Sequence, residues 1–61
     1  MTFGERVRAR RKELGMSRAE LAKLLGISPS AVGNYEIGVS FPKEEIMLRL
    51  FNSLETDPNT L

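Results

Sequence analysis

Ser30 and Asn34 stand four residues apart, with Pro29 and Gly33 beside them. At helical spacing these side chains share one face, and none of them is the Lys, Glu or Gln that a solvated helix surface favours. Gly33 in a helix interior costs about 1 kcal/mol relative to Ala, so a face this small needs a reason. A flat hydrogen-bonding partner supplies one. An Asn amide matches the donor and acceptor of an adenine edge, and a Ser hydroxyl can donate or accept against any base. The alternative, that Gly33 is merely tolerated, stays open at this point. Elsewhere the reactive inventory is thin. With no Cys and no His, the thiolate and imidazole ligands of zinc sites are missing. The serines lack an evident base, and no spaced pair of carboxylates marks a cleft. No catalytic residue, metal site or cofactor is expected, and an enzyme is the least supported class.

The formal net charge of +1 hides a gradient, because residues 1–23 carry seven basic and three acidic side chains while residues 24–61 carry two and five. That polarity fits a side facing a polyanion, and it equally describes a solvated helix surface. No apolar run approaches the roughly 18 residues of a membrane span. The basic stretch Arg6 to Lys12 is followed by no apolar segment of the signal-peptide kind. A cytoplasmic location without membrane contact is the expectation. At 61 residues the chain is read as a single domain that buries only about 60% of its unfolded surface. With neither disulfide nor zinc to staple it, the core must be efficient.

Gly and Pro divide the chain into helix-sized pieces, and no stretch alternates as a strand would. Helices are expected at about 2–14, 17–25, 29–37 and 43–54, with a fifth starting at 58, in an all-α, compact bundle of four to five short helices. Phe3, Val7 and Leu14 form the apolar stripe of the first, with Thr2 as N-cap and Gly15 as the stop. Ser17 and Glu20 make a capping box for the second, whose buried face is Leu21, Ala22, Leu24 and Leu25. Ser28-Pro29 starts the third as N-cap plus N1 proline, Val32 and Tyr35 point inward, and Gly38 ends it. Met47, Leu50, Phe51 and Leu54 stripe the fourth, and Asp57-Pro58 repeats the start signal. The second and third pieces, joined through Gly26-Ile27-Ser28, have the form of a helix-turn-helix. Topology alone fits an ordinary helical hairpin equally well. The small polar face of the third helix favours the nucleic-acid reading.

Arg11, then Met16-Ser17-Arg18-Ala19-Glu20-Leu21-Ala22, then Ile27-Ser28-Pro29-Ser30-Ala31-Val32, Asn34-Tyr35-Glu36 and Gly38-x-x-x-Pro42 occur in that order. The ordered set resembles the phage-repressor and Cro-like (Xre) helix-turn-helix family, whose domain is the lambda-repressor-like bundle, and the resemblance covers nearly the whole chain. It implies that the third helix enters the major groove while the second crosses the DNA backbone. Carried over by position, base readout falls to Pro29, Ser30 and Asn34, with Ala31 and Gly33 near enough for apolar or backbone contact. Pro29 has no side-chain hydrogen bond to offer, so Ser30 and Asn34 are expected to carry the polar readout. Phosphate contacts fall to Ser17, Arg18, Ser28 and Lys43, with Arg18 standing where the family usually has Gln. Arg11 and Glu36 match a structural ion pair that joins the first and third helices in lambdoid phage repressors.

The chain departs from the pattern after the third helix. Ile37 takes the place of an amide, and Val39, Ser40 and Phe41 take the place of basic residues, leaving Lys43 as the cation nearby. Phosphate contacts from that loop are therefore in doubt. Phe41, Ile46 and Leu48 add apolar surface beyond the stripe of the fourth helix, read either as a homodimer surface near helices four and five or as surface wrapped by neighbouring chain. The function that the resemblance implies is sequence-specific double-stranded DNA binding by a bacterial or phage transcriptional regulator, repressor-like, on a palindromic operator. On the same reading the chain is the N-terminal, DNA-binding part of a longer protein. The alternative is a protein-interaction module on the same fold, such as an antirepressor or antitoxin-like partner.

Overall fold

Thr2, Ser17 and Ser28 each turn a side-chain oxygen onto the backbone N–H three residues ahead and so start a helix. The computed structural model describes residues 2–55, and among them there are four helices and no strand: α1 (Phe3–Glu13), α2 (Arg18–Leu25), α3 (Pro29–Ile37) and α4 (Glu44–Ser53). The capping box expected at Ser17 and Glu20 is present, and Thr2 and Glu5 form a second. Helix α4 starts differently. Lys43 occupies its N-cap without a side-chain bond, while Glu44 and Glu45 face the positive end of the helix dipole. The fifth helix expected from Asp57-Pro58 lies outside the described residues.

Three helices end alike. Gly26 and Gly38 adopt φ of 73° and 82° after α2 and α3, a left-handed turn open to glycine at little cost. Ile27 N–H then reaches back to the Ala22 carbonyl, and Val39 N–H to that of Asn34. After α1 the stop falls one residue later than a glycine C-cap would put it. Leu14 is the C-cap and Gly15 takes the left-handed turn, with Met16 N–H on the Arg11 carbonyl.

Val7, Leu21, Ala22, Leu25, Val32, Leu50 and Leu54 make the core, with Phe3, Leu14, Met16, Ile27, Ile46 and Met47 packed against it. Helix α3 packs on α1 and α2, and α4 packs on α2. Leu24 departs from its expected place in the buried face of α2, being 57% exposed. At about 100° per residue it falls roughly 60° outside the arc that Leu21, Leu25 and Ala22 span. Tyr35 and Phe51 are half-buried at the edge of the core rather than inside it.

Two arginines fasten helix ends that lie far apart in sequence. Arg10 Nε donates to the Leu54 carbonyl at 2.8 Å, and Arg49 Nη1 to the Leu25 carbonyl at 3.2 Å. Each satisfies a carbonyl that helix geometry leaves without an N–H partner. Gly4 brings the start of α1 against the end of α3 so closely that a Cβ there would strike the carbonyl oxygens of Tyr35 and Glu36. Among the described residues no helix is long and apolar enough to cross a membrane.

Candidate nucleic-acid interface

Helix α3 is held by what it buries. Val32 is fully enclosed and Glu36 is 5% exposed, so the face opposite them is fixed toward solvent. On it Pro29, Ser30 and Asn34 are exposed, while Ala31 and Gly33 are half-buried. Ala22, 1% exposed, contributes only a methyl group to the buried face of α2, which packs on both α3 and α4. Within the described residues neither the Ser30 hydroxyl nor the Asn34 amide makes a side-chain hydrogen bond. Both remain available to an outside donor or acceptor.

The phosphate candidates have more varied surroundings. Ser17 Oγ accepts from Glu20 N–H, Ser28 Oγ accepts from Ala31 N–H, and Glu20 Oε1 accepts from Ser17 N–H. Capping occupies a lone pair of each hydroxyl and leaves its O–H free to donate. The box uses the amides of Ser17 and Glu20, so Arg18 and Ala19 supply the remaining outward N–H groups of the first turn of α2. Lys43 is exposed at the N-cap of α4.

Beneath the face lies a charged cluster. Arg11 Nε donates to Glu36 Oε2 at 2.6 Å and its Nη2 to Oε1 at 3.3 Å, a bidentate fork on a carboxylate shut away from water. The remaining nitrogen, Nη1, donates to the Met16 carbonyl at 2.8 Å. Arg18 adds a third member, with Nε 3.2 Å from Glu36 Oε1 and a side chain 47% exposed. Its guanidinium reaches the carboxylate by passing over Gly33, where Nη1 lies 3.7 Å from the place a Cβ would occupy. Two guanidiniums on one carboxylate leave the cluster with a net positive charge. The resemblance puts Arg18 at a phosphate; the structure lays it along the exposed side of α3. No local sequence signal announces that arrangement, although the pairing of a long cation at 18 with a glycine at 33 is its trace.

The loop after α3 carries apolar groups outward. Ile37, Val39 and Phe41 are 68%, 70% and 67% exposed, and the Phe41 ring stacks on Phe3 with centroids 5.3 Å apart.

Residues 7–61 match the family model described as helix-turn-helix. The chain is 40% identical over 59 residues to repressor protein C2 of Salmonella phage P22, spanning 97% of this chain and 27% of that protein. It is 40% identical over 58 residues to the HTH-type transcriptional regulator DicA of Escherichia coli strain K12, spanning 95% and 43%. It thus spans less than half the length of these relatives. In fold it is similar to the P22 c2 repressor in a crystal structure with a synthetic operator, at a TM-score of 0.93, 37% identity and coverage of 97% of this chain and 89% of that one. The restriction-modification controller protein C.AhdI of Aeromonas hydrophila follows at 0.87 and 34%, covering 95% and 88%.

Proposed function

The chain belongs to the Xre-type helix-turn-helix family, and from that membership we infer that it binds double-stranded DNA sequence-specifically as a repressor-like transcriptional regulator. The observation that carries the reading is the solvent face of α3. It offers an Asn amide and a Ser hydroxyl that have no side-chain hydrogen bond among the described residues, on a bundle similar to that of a repressor solved with a synthetic operator. In this reading α3 lies in the major groove. Asn34 pairs with an adenine edge, Ser30 donates or accepts beside it, and Ala31 and the Gly33 backbone make close contact. Pro29 starts the helix at the groove wall. The hydroxyls of Ser17 and Ser28, the outward amides of α2 and the Lys43 ammonium reach flanking phosphates.

We also propose that two copies bind together through the α4 side, where Leu48 is 57% exposed. A two-fold pair would set its recognition helices about 34 Å apart, one turn of B-DNA, on a palindromic site. The compartment that fits such work is the cytoplasm. The test is selection from randomised duplexes with the purified protein, in which a palindrome with half-sites one helical turn apart should be enriched. Enrichment of no sequence would reject DNA readout. It would favour a second reading, a protein-interaction module on the same fold, for which the exposed Ile37, Val39 and Phe41 are the supporting observation.

A further inference from the structure

Arg18 departs most from a simple phosphate ligand, because three separate features fix it on the reading face. Its Nε edge is bonded to Glu36 at 3.2 Å. Glu36 is itself immobilised by the fork from Arg11 and is 1% exposed in its side chain. The guanidinium rests on Gly33, with Cζ 3.9 Å and Nη1 3.7 Å from the absent Cβ, so position 33 carries on its surface a side chain lent by α2. A Cβ at 33 would stand in ordinary van der Waals contact with that guanidinium, and a side chain longer than Ala would compete for the space.

A guanidinium has two hydrogen-bonding edges. With Nε committed to Glu36, the end-on edge formed by Nη1 and Nη2 makes no other polar contact among the described residues, and it is the fork that matches guanine O6 and N7. A phosphate can take the same fork; what favours a base is placement, because the bond to Glu36 holds the guanidinium over Gly33, along the exposed side of α3, instead of leaving it to project freely from the start of α2. Anchoring removes rotamer freedom before DNA arrives, so less entropy is lost on binding. We propose that Arg18 is a specificity-determining residue, reading a guanine in the major groove beside the bases contacted by Ser30 and Asn34, with Glu36 as its positioning residue and Gly33 as its seat.

This inference rests on the DNA-binding reading above, and the experiment separates the two. Duplex selection is run on the wild-type protein, on Arg18→Lys, which keeps the charge and loses the fork, and on Arg18→Gln; circular dichroism confirms that each is folded. The wild-type site should contain a G·C pair in each half-site next to the pair that Asn34→Ala perturbs. Both Arg18 variants should lose preference at that G·C pair by at least about fivefold while keeping the rest of the motif. Equal weakening on every sequence by Arg18→Gln, with Arg18→Lys behaving as wild type and the salt slope of Arg18→Gln falling by about 0.9, would make Arg18 a phosphate ligand and overturn the proposal. A wild-type protein that enriches no motif fails before any variant is compared, and takes both readings with it.

Discussion

Glu36 sits 5% exposed with three guanidinium contacts, two from Arg11 and one from Arg18. Such a carboxylate is costly to bury alone and costlier to remove, because its loss strands the Arg11 charge in a dry place. Glu36→Ala should therefore destabilise the domain by about 3–5 kcal/mol, read as a shift of the urea midpoint. A loss under about 1 kcal/mol would mean that water reaches Arg11 and the pair is not truly buried. Asn34 belongs to the opposite surface of the same helix and should behave in the opposite way. Asn34→Ala should leave the urea midpoint in place and reduce discrimination at one base position by about 1–3 kcal/mol, measured by competition between operator and single-substitution duplexes. Equal losses on specific and random DNA would remove Asn34 from readout.

At the scale of helices, the position of α3 depends on how closely α1 approaches it. Gly4 is the contact point, and the atoms a Cβ would meet are backbone oxygens of Tyr35 and Glu36, which cannot swing aside as a side chain would. Gly4→Ala should cost at least about 1–3 kcal/mol by overpacking, despite the helix propensity gained. A thermal midpoint equal to wild type would show that α1 can shift freely. The start of α1 should also carry a pH signature. The Thr2 backbone N–H, and then its hydroxyl, hold the Glu5 carboxyl below its ordinary pKa. A group with a lowered folded pKa contributes stability above its unfolded pKa, and that contribution is lost as pH falls through the folded value. Acidification through and below the usual glutamate range should thus fray the first turn. NMR titration of the Glu5 carboxyl in wild type and Thr2→Val checks this, the downward displacement shrinking in the variant.

For the molecule as a whole, the distribution of cations decides how binding responds to salt. Arg11 is enclosed, Arg10 and Arg49 are engaged on helix ends, and residues 38–42 hold no charged side chain. Of the nine cations only the exposed Lys43, at the start of α4, is assigned as a side-chain phosphate contact, and each neutralised phosphate contributes about 0.9 to the slope of log K against log salt. The slope for the operator complex should be markedly shallower than −10, measured by titrations at several salt concentrations; a value near −10 would mean that phosphates are gripped by groups not identified as contacts.

Local features were readable residue by residue. The caps at Thr2, Ser17 and Ser28, the glycine stops, the N1 proline and the bare face of Ser30 and Asn34 all follow from interactions spanning a few residues. The Arg11 to Glu36 pairing was legible only through the resemblance of the whole pattern, since it joins residues 25 apart. What the tertiary structure alone decided lies at separations of 18 residues or more, or at the edge of a helix face: Arg10 on Leu54 across 44 residues, Arg18 on Glu36 across 18, the close approach at Gly4, and the outward turn of Leu24. These depend on the angle and distance at which packed helices cross. Periodicity within one helix says which stripe is apolar, but the crossing determines which end of a long arginine meets which carbonyl or carboxylate.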